Sequence, residues 1–260
     1  GIALATLVCQ TLGALFALAL MHRRLKNMPR CVGEGCALWF SRPLLREMLQ
    51  IALPVTLQQL IVSVGNVFIQ ANVNRFGSGV SAGYGAVIKL NNLGISALMA
   101  FDRGMATFAA QNGAQKPERI RSGRNGAILL SVMFGLSIAA VFYLFRAELI
   151  GLFLRGGSLA AIKTGEQFFQ IVLPFYLFVS VKIACDGMLR GLADMRRLLI
   201  GTFVDLSLRV GCGFLFSALW GSVGIWAAWP VGWVTGTVLS LLFTAKWFRV
   251  DRNTETPIRS

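Results

Sequence analysis

The sequence is poor in the residues that most enzymes and metal sites use. Its 260 residues include one histidine, His22, five cysteines, and only 11 Asp and Glu against 25 Lys and Arg. Cys31 and Cys36 are five positions apart, which fits neither the CxxC spacing of redox sites nor the spacing of zinc ligands. The other cysteines lie in apolar stretches, where cysteine behaves as a small apolar residue. The composition therefore predicts no disulfide, no metal site, no cofactor and no enzymatic chemistry.

Long polar segments are also scarce, because seven apolar stretches occupy most of the chain. Each stretch has about twenty residues or more, the length at which an α-helix crosses roughly 30 Å of hydrocarbon. A mean hydropathy of +0.66 and 55% hydrophobic residues are too apolar for a soluble domain. We therefore predict an all-α integral membrane protein with seven transmembrane helices. The stretches are at about residues 2–21, 48–73, 82–110, 125–145, 166–189, 198–219 and 223–245.

The basic residues are concentrated in alternate gaps between these stretches. Seventeen of the 25 follow the first, third, fifth and seventh stretches. Cytoplasmic loops accumulate Lys and Arg, so these gaps and the C-terminus are predicted to face the cytoplasm. Contact with cytosol and anionic headgroups also accounts for the net charge of +14, and no nucleic-acid partner is expected. The segments predicted to be cytoplasmic are 22–47, 111–124, 190–197 and 246–260.

The longest polar gap divides the chain. Within it, Ser41-Arg42-Pro43 is typical of a helix start, with proline in the first turn. We interpret residues 1–47 as the last helix of an absent N-terminal lobe plus a cytoplasmic linker. Residues 48–250 are predicted to form one six-helix lobe, and residues 251–260 a cytoplasmic tail. Because the sequence begins inside an apolar stretch, we expect it to be a fragment.

The second and third stretches each carry a narrow polar face. At 100° per residue, the polar side chains of each stretch fall within about a quarter of the helix circumference. Such a face would be costly toward lipid, at roughly 2.5–3.5 kcal/mol per central charge. Interhelical hydrogen bonding is one interpretation, and a wet substrate cavity is the one we favour, because two successive stretches share the feature. The cavity hypothesis comprises Gln59, Ser63, Asn66, Gln70, Lys89, Asn92 and Ser96.

Lys89 has two open interpretations. Its ammonium could lie in the cavity, where it would pair with an acid of the absent lobe or repel a cationic substrate. Alternatively, because Lys89 lies about two turns inside the outer end of its stretch, its four-carbon stem could extend outward to water.

Charges inside the other stretches are few, and each carboxylate has a basic neighbour in the sequence. A basic neighbour lowers the cost of placing a carboxylate in the membrane. Each carboxylate and its neighbour can therefore be interpreted either as a structural ion pair near a helix end or as functional groups. The predicted intramembrane pairs are Asp102–Arg103, Lys182–Asp186 and Asp205–Arg209.

Five segments share a further pattern: GIALATLVCQTLGALFALALMHRR (1–24), LPVTLQQLIVSVGNVFIQANVNRFG (53–77), TFAAQNGAQKPERIRSG (107–123), GMLRGLADMRR (187–197) and WGSVGIWAAWPVGWVTGTVLSLLFTAKW (220–247). Together they resemble the sixth helix and the C-terminal lobe of multidrug and toxic compound extrusion (MATE) transporters. The resemblance implies a twelve-helix antiporter of two six-helix lobes, of which this chain supplies the second. It implies export of small amphipathic compounds by alternating access, in exchange for protons or sodium. The implied partners are the substrate, membrane lipid and the missing lobe.

One departure from the family pattern concerns the coupling ion. Members with a sodium site in this lobe use carboxylates within its first and fourth helices. Here the second stretch has no interior carboxylate, and the fifth has only Asp186, close to its cytoplasmic end. The resemblance therefore implies protons as the coupling ion, carried by the missing lobe, with sodium as the alternative.

Other functions share parts of this pattern. A lipid-linked oligosaccharide flippase of the same superfamily would have the same architecture. A seven-span receptor would have the same topology, and Asp102-Arg103 in the third stretch is compatible with one. The last stretch, however, has no interior lysine for a retinal Schiff base, and a receptor leaves segment 107–123 unexplained.

Overall fold

The structure is a computed structural model that describes residues 2–26, 41–113, 117–154 and 159–254. All regular secondary structure in these ranges is helical, which confirms the all-α prediction. Several predictions concern residues outside these ranges, namely Cys31, Cys36, the linker segment 27–40 and the tail segment 255–260.

Nine α-helices are present in the described ranges. Five segments are long and apolar enough to cross a membrane: α2, α4, the combined α6–α7 segment, α8 and α9. The protein is thus a multi-pass membrane protein, whereas the predicted count of seven spans is not confirmed, because α1 and α3 are not among the five. The helices are α1 (Ile2–Lys26), α2 (Arg42–Asn74), α3 (Ser78–Asn112), α4 (Pro117–Leu144), α5 (Arg146–Phe153), α6 (Leu159–Val172), α7 (Tyr176–Gly191), α8 (Met195–Trp220) and α9 (Ser222–Thr254).

The chain forms two compact units, residues 1–47 and residues 48–260. In the first unit, α1 has exposed apolar side chains along its length, including Leu4, Leu12 and Phe16. The helix start predicted from the sequence lies at the beginning of α2, where the amide of Leu45 donates to the carbonyl of Ser41 at 3.0 Å.

Proline interrupts one of the membrane segments. Pro174 lies in a 3₁₀ turn, Leu173–Phe175, that separates α6 from α7. Pro54 and Pro230, in contrast, lie within α2 and α9, which continue through them. Proline removes one helical hydrogen bond in each case, but only at Pro174 does the helix give way to a tighter turn.

Two apolar clusters occur in the second unit. The larger is aromatic: the ring of Tyr84 stacks on that of Trp226 with centroids 5.2 Å apart, and Phe168 contacts Trp226 edge-on. The smaller contains Met105 and Met188. Buried carboxylates lie between the two clusters along two helices: Asp102 lies between Leu98 and Met105 on α3, and Asp186 lies between Ile183 and Met188 on α7.

α7 approaches α3 closely because glycines line their contact. A Cβ added at Gly187 would lie 2.5 Å from the carbonyl oxygen of Asp102, and one added at Gly191 would meet the carbonyl oxygen of Ala106. Gly187 and Gly191 form a GxxxG pattern, which allows membrane helices to pack backbone to backbone. This approach brings Arg190 of α7 opposite α3.

Candidate functional site

The predicted cavity residues of α2 lie on its surface. Gln59, Ser63 and Asn66 are exposed, and Gln70 is half-buried. Among the described residues, their side-chain hydrogen bonds stay within the helix: the Ser63 hydroxyl donates to the carbonyl of Gln59 at 2.9 Å, and Gln70 Nε2 donates to Asn74 Oδ1 at 2.8 Å. We call Gln59, Ser63, Asn66 and Gln70 the polar face of α2.

The predicted cavity residues of α3, Lys89, Asn92 and Ser96, are also exposed. Lys89 Nζ lies 5.9 Å from the ring centroid of Phe153, the last residue of α5. In the described part of the chain, no hydrogen bond joins these three residues to the polar face of α2. A polar link between the two helices does occur at the α2–α3 turn, where the Ser81 hydroxyl donates to Asn74 Oδ1 at 3.1 Å.

A different face of α2 packs on α8 through residues that are seven positions apart. Gln58 Nε2 donates to Thr202 Oγ1 at 2.8 Å, and Asn72 Nδ2 donates to the Gly213 carbonyl at 3.1 Å. Between them, Gly65 contacts the side chain of Leu206. These contacts fix which side of α2 is buried, and so leave the polar face of α2 exposed.

Two of the three predicted charge pairs are present. Lys182 Nζ lies 2.6 Å from Asp186 Oδ2, and Arg209 Nη2 lies 2.8 Å from Asp205 Oδ1. The two pairs are also joined, because Lys182 Nζ is 3.9 Å from Asp205 Oδ2. The hydroxyl of Ser240 donates to Asp186 Oδ1 at 2.6 Å. We call these five residues of α7, α8 and α9 the charged layer.

The third predicted pair is wrong. Asp102 is buried and forms its ion pair with Arg190 of α7, whereas Arg103 is exposed. Adjacent residues of a helix point about 100° apart, so Asp102 and Arg103 cannot face each other. Arg190 also donates from Nη2 to Gln58 Oε1 at 3.3 Å, and this links α2, α3 and α7.

Three residues of these interhelical hydrogen bonds and ion pairs were not predicted from the sequence: Gln58, Arg190 and Ser240. Gln58 and Arg190 carry no local signal, because their partners lie on other helices. Ser240 does carry one, since Gly232, Gly236 and Ser240 are spaced four apart on α9 and therefore share a face. The two glycines of that face lie against Asp205 and Lys182, respectively.

Comparison with known protein families assigns this chain to a family. The sequence model of the MatE family matches residues 54–215, which is most of the α2–α8 region. The chain belongs to the MatE family. Its members are MATE transporters rather than enzymes, and the resemblance identified from the sequence is confirmed.

Curated relatives of this MatE chain include two bacterial proteins. Probable multidrug resistance protein YpnP of Bacillus subtilis is 27% identical over 180 residues, which cover 68% of this chain and 40% of the relative. Probable multidrug resistance protein NorM of Thermotoga maritima is 24% identical over 255 residues, which cover 95% of this chain and 53% of the relative. The chain thus spans about half the length of the curated relatives it matches.

Solved structures of MATE transporters have the same fold. A multidrug resistance MATE transporter of the MOP superfamily in an outward-facing conformation superposes with a TM-score of 0.77 at 19% identity, covering 87% of this chain and 50% of that one. A MOP superfamily transporter from Pyrococcus furiosus superposes with a TM-score of 0.75 at 19% identity, covering 82% and 48%. The second unit of this chain therefore has the fold of one half of a MATE transporter.

Proposed function

We propose that this chain is one lobe of a secondary active transporter that exports amphipathic organic compounds by alternating access in exchange for protons. A second six-helix lobe completes the cavity, with small-molecule substrate and membrane lipid as the other partners. The observation that carries the proposal is that polar side chains are exposed on two successive helices, on the polar face of α2 and at Lys89, Asn92 and Ser96 of α3. In a membrane, polar faces of this kind must meet water or protein rather than lipid.

The contacts of α2 support a role for its polar face in binding. Gln58 and Asn72 bind α8 on one side of the helix, whereas Gln59 and Asn66 have no partner outside α2 among the described residues. Their amide groups can therefore donate to and accept from a substrate that enters a cleft between two lobes.

Substitutions on α2 test the proposal. Asn66→Ala in the full-length protein is expected to reduce resistance of an efflux-deficient bacterium to at least one drug, because the loss of one substrate hydrogen bond weakens binding roughly two- to tenfold. Val67→Ala is the matched control, since Val67 is the next residue and is 67% exposed but apolar. Equal resistance of the two variants to several chemically different drugs, at equal protein level, would contradict the assignment.

The proposed location is the bacterial inner membrane, with the C-terminus in the cytoplasm. The bacterial relatives support the location, and the basic segments support the orientation, through the preference of cytoplasmic loops for Lys and Arg. With cysteine substitutions, a membrane-impermeant thiol reagent added outside should label Ser78→Cys and should not label Ser122→Cys or Arg196→Cys. All three positions are exposed in the structure. The opposite labelling pattern would reverse the topology.

The proposed coupling ion is the proton. Asp186 and Asp205, the carboxylates of the charged layer, already have Lys182 and Arg209 as counter-ions, which argues against a free sodium ion between them. In proteoliposomes, a pH gradient alone is expected to drive uptake or release of a fluorescent substrate, and a sodium gradient alone is not. Sodium binding that disappears in Asp186→Asn would instead assign the ion to this lobe.

A further inference from the structure

The charged layer contains a lysine at the place where two carboxylates converge. Lys182 Nζ lies 2.6 Å from Asp186 Oδ2 and 3.9 Å from Asp205 Oδ2. The three residues are 9%, 8% and 6% exposed, respectively. One ammonium group therefore lies between two buried carboxylates that come from different helices, α7 and α8.

The third wall of this site is a face of α9 that lacks bulky side chains. A Cβ added at Gly232 would lie 2.5 Å from Asp205 Oδ1, and one added at Gly236 would lie 2.8 Å from Lys182 Cε. The next residue on the same face, Ser240, donates its hydroxyl to Asp186 at 2.6 Å. The site is therefore a compartment formed by three helices, and not merely a local ion pair on one helix.

The charges of this compartment balance only when the ammonium is included. Arg209 compensates one carboxylate through its 2.8 Å contact with Asp205, and its guanidinium is held 4.8 Å from the ring centroid of Trp229. Lys182 compensates the other carboxylate. Without Lys182, one buried negative charge would have no partner, which is strongly unfavourable at membrane depth.

We propose that the Lys182 ammonium is a resident cation that fills a monovalent-cation site formed by Asp186, Asp205 and Ser240. Lysine carries a compact point charge on a flexible stem, so it can occupy the space that a small free cation would take. In the native protein the tethered ammonium fills the site, and sodium does not bind there. When the ammonium is removed, the same oxygens bind sodium.

Removal of the lysine gives a direct test. The full-length protein and its variants are purified in detergent at mildly alkaline pH, and the midpoint of thermal unfolding is measured as sodium chloride replaces choline chloride. Wild type is expected to give the same midpoint in both salts. Lys182→Ala is expected to unfold earlier in choline, with a midpoint that rises with each tenfold increase in sodium, because a ligand of the folded state stabilises it in proportion to the logarithm of its concentration.

Two further variants separate cation binding from packing. Lys182→Arg keeps the positive charge and is expected to show no sodium response. The double variant Lys182→Ala with Asp186→Asn restores neutrality, so it is expected to fold and to show no sodium response.

Several outcomes would overturn the proposal. A folded Lys182→Ala with equal midpoints in the two salts would do so, as would a sodium response in wild type or in the double variant. If Lys182→Ala folds neither in sodium chloride nor in choline chloride, the proposal is likewise wrong, whether or not the double variant folds. A Lys182→Ala protein that folds only in sodium supports it. Because the readout is stability, a failure of drug export would contradict the proposed function and leave this inference untouched.

Discussion

The polar face of α2 and the charged layer both place polar groups within membrane helices, but they differ in what those groups contact. Gln59 and Asn66 are exposed and have no partner on another helix among the described residues. Asp186 and Asp205 are buried and are bonded to side chains of α7, α8 and α9. The difference shows that the charged layer joins three helices of the lobe, whereas the polar face of α2 has no such structural role, which fits the ligand-binding role proposed for it.

The largest effect on the free energy of unfolding is expected from a substitution in the charged layer. Asp205→Ala removes the carboxylate shared by Arg209 and Lys182, and loss of one partner of a buried ion pair costs about 3–5 kcal/mol. Asn66→Ala, on the polar face of α2, is expected to change the free energy of unfolding by no more than about 0.5 kcal/mol. Denaturant unfolding in detergent micelles measures both. Equal losses would mean that the two regions do not differ in structural role.

The next effect concerns the α3–α7 contact that positions Arg190. Gly191→Ala places a methyl group against the Ala106 carbonyl and is expected to cost about 1–3 kcal/mol of unfolding free energy. Gly211→Ala on α8 is the matched control, because its added Cβ would meet no atom of another helix within 4 Å. A Gly191→Ala protein as stable as the control would show that the close helix approach is not needed.

A smaller effect sharpens the comparison within α2 itself. Gln58→Leu removes the hydrogen bonds to Thr202 and Arg190 and is expected to lower the free energy of unfolding by about 0.6–1.7 kcal/mol, the range for interhelical hydrogen bonds in membranes. Gln59→Leu is expected to leave stability unchanged and to reduce drug efflux. If Gln59→Leu lowered stability and Gln58→Leu lowered only drug efflux, the assignment of the buried and ligand-facing sides of α2 would be reversed.

The smallest expected effect on stability is at Lys89. Its side chain is exposed, and Nζ lies 5.9 Å from the ring centroid of Phe153, so Lys89→Met is expected to leave the unfolding midpoint unchanged. Drug resistance then distinguishes the two interpretations of this residue. A cavity lysine predicts altered substrate preference at equal protein level, whereas normal resistance to several different drugs would remove Lys89 from the site.

The sequence predicted contacts within one helix better than contacts between helices. Lys182–Asp186 and Asp205–Arg209 were predictable because residues four apart on a helix are neighbours in any tertiary context. The partner of Asp102 was not, since Arg190 is 88 residues away and reaches it only because Gly187 and Gly191 let α7 pack closely on α3. The amides of α2 illustrate the same limit, because Gln58 and Gln59 are identical residues in neighbouring positions with opposite surroundings.

Hydropathy by itself determined that this is a helical, multi-pass membrane protein, and family-typical segments determined that it is a MATE lobe. Both properties depend on local sequence, namely on the length of apolar stretches and on short runs of residues. Only the tertiary structure decided which polar groups are buried and which remain exposed. That choice depends on how each helix is rotated about its axis, which is set by the helices it packs against and not by its own sequence.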